Sequence, residues 1–195
     1  MKTASKILLI IGGVFAILAT LSFAYLALYD FLIAMLGTIA AFVGLILLLV
    51  GTGNDSASLI SSGGMTFGYG TIFAVGGFVL AVIFAIFTLF LLIVAVSAFV
   101  GLIQKRPTSI INIVFGSLTF IPAGLFAIWS IYALLFFIIY FFVMIIFLLT
   151  PVGWMYVAMI GITIFSAIAA LLIQLGGVFG LIGSFKKKEE VMEIK

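Results

Sequence analysis

Between Lys6 and Lys186 the chain carries just four charged side chains, Asp30, Asp55, Lys105 and Arg106, and the sequence around them is overwhelmingly apolar. A water-soluble fold of this size cannot be built from such a chain. A typical soluble domain carries roughly 25% charged residues, whereas here 7% are charged and 67% hydrophobic. Apolar runs recur at lengths that suit a hydrocarbon layer of about 30 Å, which about 20 helical residues cross, and the mean hydropathy is +1.61. These runs do not alternate polar with apolar residues as barrel strands do. The spanning element is therefore the helix, which satisfies its own backbone hydrogen bonds. The expectation is an all-α, polytopic transmembrane bundle, a single integral membrane domain over residues 1–195 with the lipid bilayer as its first partner.

Polar and turn-forming positions cut the chain into six apolar segments: 7–29, 31–51, 72–103, 109–129, 132–149 and 152–184. Asp30 divides the first two and suits the N-cap of a helix beginning at Phe31, as in a tight helical hairpin. Residues 52–70 read as an extended polar loop rich in Gly and Ser. "QKRPTS" is a second boundary, because Pro107 cannot continue the helix before it, and "TPVGW", from Thr150, is a third. A cut near Trp129 to Ile131 rests on length. Residues 110–149 as one helix would run to about 60 Å, twice the hydrocarbon thickness, and a kink at Pro122 and Gly124 does not shorten that enough. Tyr25, Tyr29, Tyr69, Trp129, Tyr132, Trp154 and Tyr156 fall near these breaks, as interfacial aromatics do, while Tyr140 does not. The N-terminal stretch also has the basic and apolar regions of a signal peptide, with Ser22-Phe23-Ala24 as a small-x-small site. Apolar sequence continuing through Val50 favours an uncleaved first helix.

The basic residues Lys2, Lys6, Lys105, Arg106, Lys186, Lys187, Lys188 and Lys195 all flank apolar segments. They read as membrane-surface anchors, not as a nucleic-acid surface, despite the net charge of +3. Two rules then conflict. Six spans leave both termini in the cytoplasm but place Lys105 and Arg106 outside. Four spans, with 31–51 and 132–149 as re-entrant or interfacial pieces, keep every basic residue inside. Length is given the greater weight, since "FLIAMLGTIAAFVGLILLLVG" is expensive to leave anywhere but across the bilayer. The halves 1–106 and 107–188 each open on an Ile-rich helix and close on Gly-Leu-Ile plus cations ("AFVGLIQKRP", "GVFGLIGSFKKK"), a pattern that suits tandem repeats. Residues 189–195 form a short charged tail.

Histidine and cysteine are absent, which excludes a histidine base, a Ser-His-Asp triad and a sulfur or imidazole metal site. Asp30 and Asp55 are the acids that precede the tail, and a spanning 31–51 helix holds them apart. No enzyme activity, cofactor or metal is expected. Asp30 is the leading candidate for an intramembrane polar or proton site, with Asn112 and Gln174 beside it as polar groups in apolar sequence. Its competing reading is an interfacial helix cap. Asp55 reads as a turn residue. Gly176 with Gly180 forms a GxxxG pair, and Ser97 with Gly101 and Gly37 with Ala41 are small-xxx-small variants, suited to close helix packing within the bundle or against another chain. "GGMTFGYG", from Gly63, lacks the ending of a phosphate loop and the order of a potassium filter, and reads as a Gly-rich loop.

The Ile- and Gly-rich start "KILLIIGGVFAIL", the basic-Pro turn "GLIQKRP", the third helix "SIINIVFGSLTFI" and the ending "LLIQLGGVFGLIGSFKKK" together resemble a group of small four-span membrane proteins of unknown function from Gram-positive bacteria. The resemblance implies a cytoplasmic "QKRP" turn and supplies no activity or site residues. Taken together, the sequence points to a multi-pass bacterial cell-membrane protein with cytoplasmic termini. The leading function is that of a non-enzymatic accessory or envelope protein acting through helix–helix contacts, with itself or other membrane proteins. A small transporter or channel subunit is the alternative.

Overall fold

A computed structural model describes residues 2–103, 105–139 and 150–193, and among these no strand occurs. The elements are α1 (Lys2–Gly53), α2 (Ala57–Val100) with a short 3-10 turn at Gly101–Ile103, α3 (Arg106–Ile139) and α4 (Pro151–Glu193). Four stretches, Thr3–Gly53, Ala57–Ile103, Arg106–Tyr132 and Pro151–Phe185, are long and apolar enough to cross a membrane.

Two of the boundaries read from sequence fall where expected, for local reasons. At the start of α3 the Lys105 N–H donates to Thr108 Oγ1 at 3.1 Å, and the same hydroxyl donates to the Lys105 carbonyl at 2.7 Å. Pro107 sits in the first turn, where a missing N–H costs nothing. Thr150 caps α4, its Oγ1 accepting the Gly153 N–H at 3.3 Å, with Pro151 as the first helical residue.

Three expectations are corrected. Asp30 caps nothing, because α1 runs unbroken through it. Apolar residues on both sides offer the backbone no competing turn, and one acid does not outweigh its helical hydrogen bonds. The 52–70 loop shrinks to Asn54–Ser56. Asp55 adopts a left-handed conformation (φ 51) and the Ser56 N–H reaches the Gly51 carbonyl at 2.9 Å, a Schellman closure that lets α2 begin at Ala57. Nor does a turn form at Trp129 to Ile131. Residues 132–139 extend α3, and the rest of the expected 132–149 segment lies outside the described residues.

The chain divides into two compact units. One, the bundle, comprises the chain up to Phe23 together with everything from Phe87 onward. Its neighbouring helices pack antiparallel: Ser5 Oγ donates to the Gly176 carbonyl at 2.7 Å between α1 and α4, and Ser130 Oγ to the Met159 carbonyl at 3.0 Å between α3 and α4. Leu9, Ala16, Val94, Ala95, Ala98, Ala169 and Ile173 form the buried core, with Phe15, Phe90, Leu102 and Phe115 packed against it. Phe23 stacks on Phe87 at 5.2 Å between ring centroids and meets Phe126 edge-on at 5.3 Å.

The other unit, Ala24–Ile86, is a helical hairpin. Its seam is set by glycines seven residues apart on both strands of the hairpin: Gly37, Gly44 and Gly51 on α1, Gly63, Gly70 and Gly77 on α2. A side chain at Gly44 would overlap the Phe67 backbone, one at Gly70 the Ala41 backbone, and one at Gly77 would lie 2.8 Å from the Asp30 carbonyl oxygen. The helices approach so closely that only hydrogen fits at these places. A seven-residue repeat keeps one narrow stripe of a helix facing its partner, and small residues on that stripe let backbones meet, as membrane helices require in the absence of a hydrophobic drive between them.

Candidate functional site

The polar side chains of the bundle gather at one end. Ser5 of α1 and Ser109 of α3 are buried and flank Gly180 of α4, at whose absent Cβ position their hydroxyls lie 3.2 and 2.8 Å away. One turn further in, Asn112 is fully buried beside Gly101, where a Cβ would overlap its amide, and Leu9 packs against both Gly101 and Gly176. Among the described residues neither Nδ2 nor Oδ1 of Asn112 has a hydrogen-bond partner, and Ser166 Oγ deeper in α4 has none either. The missing side chains of Gly101 and Gly176 leave the room that the Asn112 amide and the Leu9 side chain occupy.

Above that layer lie the cations. Lys6, Lys105 and Arg106 are exposed, and the Arg106 guanidinium stands 4.2 Å over the Phe185 ring, just before Lys186, Lys187 and Lys188. The two Gly-Leu-Ile endings therefore meet in space: Gly101 precedes Lys105 and Arg106, and Gly180 precedes the terminal lysines, at the same end of the bundle that holds Lys6. Lys105 and Arg106 thus stand at the same end of the bundle as Lys6 and Phe185. An up-down-up-down arrangement brings the start of α1, the α2–α3 turn and the last part of α4 together, because each pair of consecutive helices reverses direction.

The remaining site residues are dispersed. Gln174 Nε2 donates to Ser117 Oγ at 3.1 Å, away from Asn112. Asp30 belongs to the hairpin unit, is 9% exposed, and its carboxyl has no hydrogen bond or ion pair with another described residue. Gly176 lies close against Leu9, Gly180 against Ser5 and Ser109, and Gly101 against Asn112. Ser97 donates to the Val94 carbonyl of its own helix at 2.8 Å. The hydroxyls and amide at the basic end can hold helices in register or bind a polar group.

Sequence reading missed the hairpin seam. Gly37 with Ala41, and the stretch from Gly63 to Gly70 that reads as a loop, both belong to one seam, and the seven-residue spacing on both stretches marks it in the sequence. Comparison with known proteins adds no name: no family model, no curated protein and no solved structure matches the chain.

Proposed function

We propose that this is a multi-pass protein of the bacterial cytoplasmic membrane, of the kind represented by the small four-span proteins it resembles, and that it acts as a non-enzymatic scaffold or accessory protein through helix–helix contacts. The observation that carries this reading is the glycine seam. In the hairpin the chain devotes its small residues to backbone-to-backbone contact, and the core of the bundle is filled by apolar side chains such as Leu9, Val94 and Ile173. The large apolar side chains outside, Leu36 and Ile72 among them, each 66% exposed, then face lipid or the helices of a partner. A transport role would need a polar path through that interior. Asn112 and Gln174 each sit in separate surroundings, and Asp30 belongs to the other unit.

In this reading each helix crosses the bilayer once, within Thr3–Gly53, Ala57–Ile103, Arg106–Tyr132 and Pro151–Phe185. A helix of 52 residues rises about 78 Å, more than twice the hydrocarbon thickness, so α1 is longer than one crossing needs. Four crossings leave Lys6, Lys105, Arg106 and the terminal lysines on one face, as the positive-inside rule prefers. Both Gly-Leu-Ile endings also fall on that face, as parallel tandem halves require.

Two measurements test the proposal. A cysteine at Ser56, in a chain that has none, should react with an impermeant thiol reagent in intact cells; protection until permeabilisation would overturn the single crossings of α1 and α2. In proteoliposomes, proton and monovalent-cation leak should match that of protein-free liposomes. A flux that requires the protein and disappears in Asp30→Asn would replace the scaffold with a transporter.

A further inference from the structure

The corner where α3 meets α4 at the basic end is built in more detail than attraction to a membrane surface requires. Arg106 is the first residue of α3, and its guanidinium lies 4.2 Å over the half-exposed Phe185 ring of α4. Stacking covers one face of the guanidinium and steadies its plane, while the N–H donors lie within that plane and can fork onto an oxyanion. Among the described residues Arg106 has no ion pair. Lys105 is exposed beside it, and the Ser109 N–H closes the first turn of α3 on the Lys105 carbonyl at 3.1 Å, which puts Arg106 at the positive end of that helix's dipole. The acids of the bundle unit, Glu189, Glu190 and Glu193, follow the terminal lysines in the chain. One turn inward from Arg106 and Phe185, on the same faces of their helices, Ile110 and Ile182 are exposed. A forked cation with apolar surface directly beneath it matches a molecule with an anionic head and an apolar tail.

We infer that this corner is a binding site for an anionic phospholipid. The two free phosphate oxygens accept the paired N–H donors of Arg106, Lys105 adds a second positive charge, and an acyl chain runs past Phe185 onto Ile110 and Ile182. Basic pockets between membrane helices take such headgroups. A lysine in place of Arg106 would draw the headgroup as a point charge, without the fork or the stacked plane. The bound lipid ties the α2–α3 turn to the last part of α4, so the site fastens two elements that are distant in the chain. The inference rests on the membrane reading and gives it a lipid partner at one place, beyond a general pull of the cations toward headgroups.

Thermal unfolding of the full chain in a neutral detergent, with phosphatidylglycerol, phosphatidylcholine or inorganic phosphate added, tests the site. Saturating phosphatidylglycerol should raise the midpoint by about 5–10 °C, and the other two by much less. Arg106→Gln and Arg106→Lys should each lose most of that rise, and Phe185→Leu, which removes the stacked ring, should lose part of it. Lys6→Gln, on α1, should keep it. Each variant's midpoint without lipid serves as its own reference, so a change in intrinsic stability is not mistaken for lost binding. Equal rises with phosphatidylglycerol and phosphatidylcholine overturn the inference. So does a rise that survives in both Arg106 variants, or one that Lys6→Gln abolishes as fully as they do, since the attraction is then diffuse. A rise with inorganic phosphate alone as large as that with phosphatidylglycerol overturns the lipid assignment. Because the assay is made in detergent it does not depend on the number of crossings, which labelling at Ser56 tests separately.

Discussion

At the scale of single residues, glycines in this chain divide sharply by what stands beside them. Gly68 has nothing within 4 Å of its missing side chain, whereas two residues on Gly70 lies against the Ala41 backbone. Gly70→Ala must push two helices apart and should cost about 1–3 kcal/mol, as overpacking does. Gly68→Ala relieves a glycine in a helix and should gain up to about 1 kcal/mol. Thermal unfolding in detergent checks both, and equal effects would mean the seam is looser than drawn. Asn112 makes the opposite kind of prediction. Its amide is buried without a partner, so Asn112→Leu should leave stability unchanged or raise it by about 1–3 kcal/mol, the penalty of an unpaired buried polar group. A marked loss of stability would show that the amide is satisfied by something it binds. Gly101→Ala, whose methyl would overlap that amide, should destabilise, and Asn112→Ala should relieve much of the damage because the two side chains share one space.

At the scale of elements, helix ends were legible wherever a side chain does the capping. Thr150 before Pro151 and the Lys105–Thr108 turn before Pro107 are local devices, complete within four residues, and sequence finds them. The α1–α2 turn was legible in kind but not in extent: Asn54 and Asp55 signal a turn, yet the Ser- and Gly-rich residues after it are helical. Their polarity suggested a loop, but helix α1 supplies a face that only small residues can meet. Asp55, in the left-handed region at φ 51, gives a prediction of its own. Asp55→Gly should stabilise the hairpin by about 1 kcal/mol, since glycine adopts that conformation without the strain of a side chain, whereas Asp55→Val should destabilise it. Melting of each variant in detergent decides the sign.

At the scale of the whole molecule, the positions of the charges define the ends of the bundle. A cysteine in place of Lys105 and another at Thr3 should both be shielded from an impermeant reagent in intact cells and both react after permeabilisation. Opposite outcomes for the two would break the shared basic end on which the assignment of faces depends. The sequence by itself determined that the chain is helical and apolar enough to cross a membrane, because charge density and run length act through solvation alone and need no knowledge of neighbours. It also marked the small residues and the cations. Which small residues meet, and which cations share a face, only the tertiary structure decided. Gly44 opposite Phe67, Gly70 opposite Ala41 and Arg106 over Phe185 are contacts between residues distant in the chain, fixed by the direction in which each helix returns. No local pattern encodes that direction in a chain whose helices are apolar on every side.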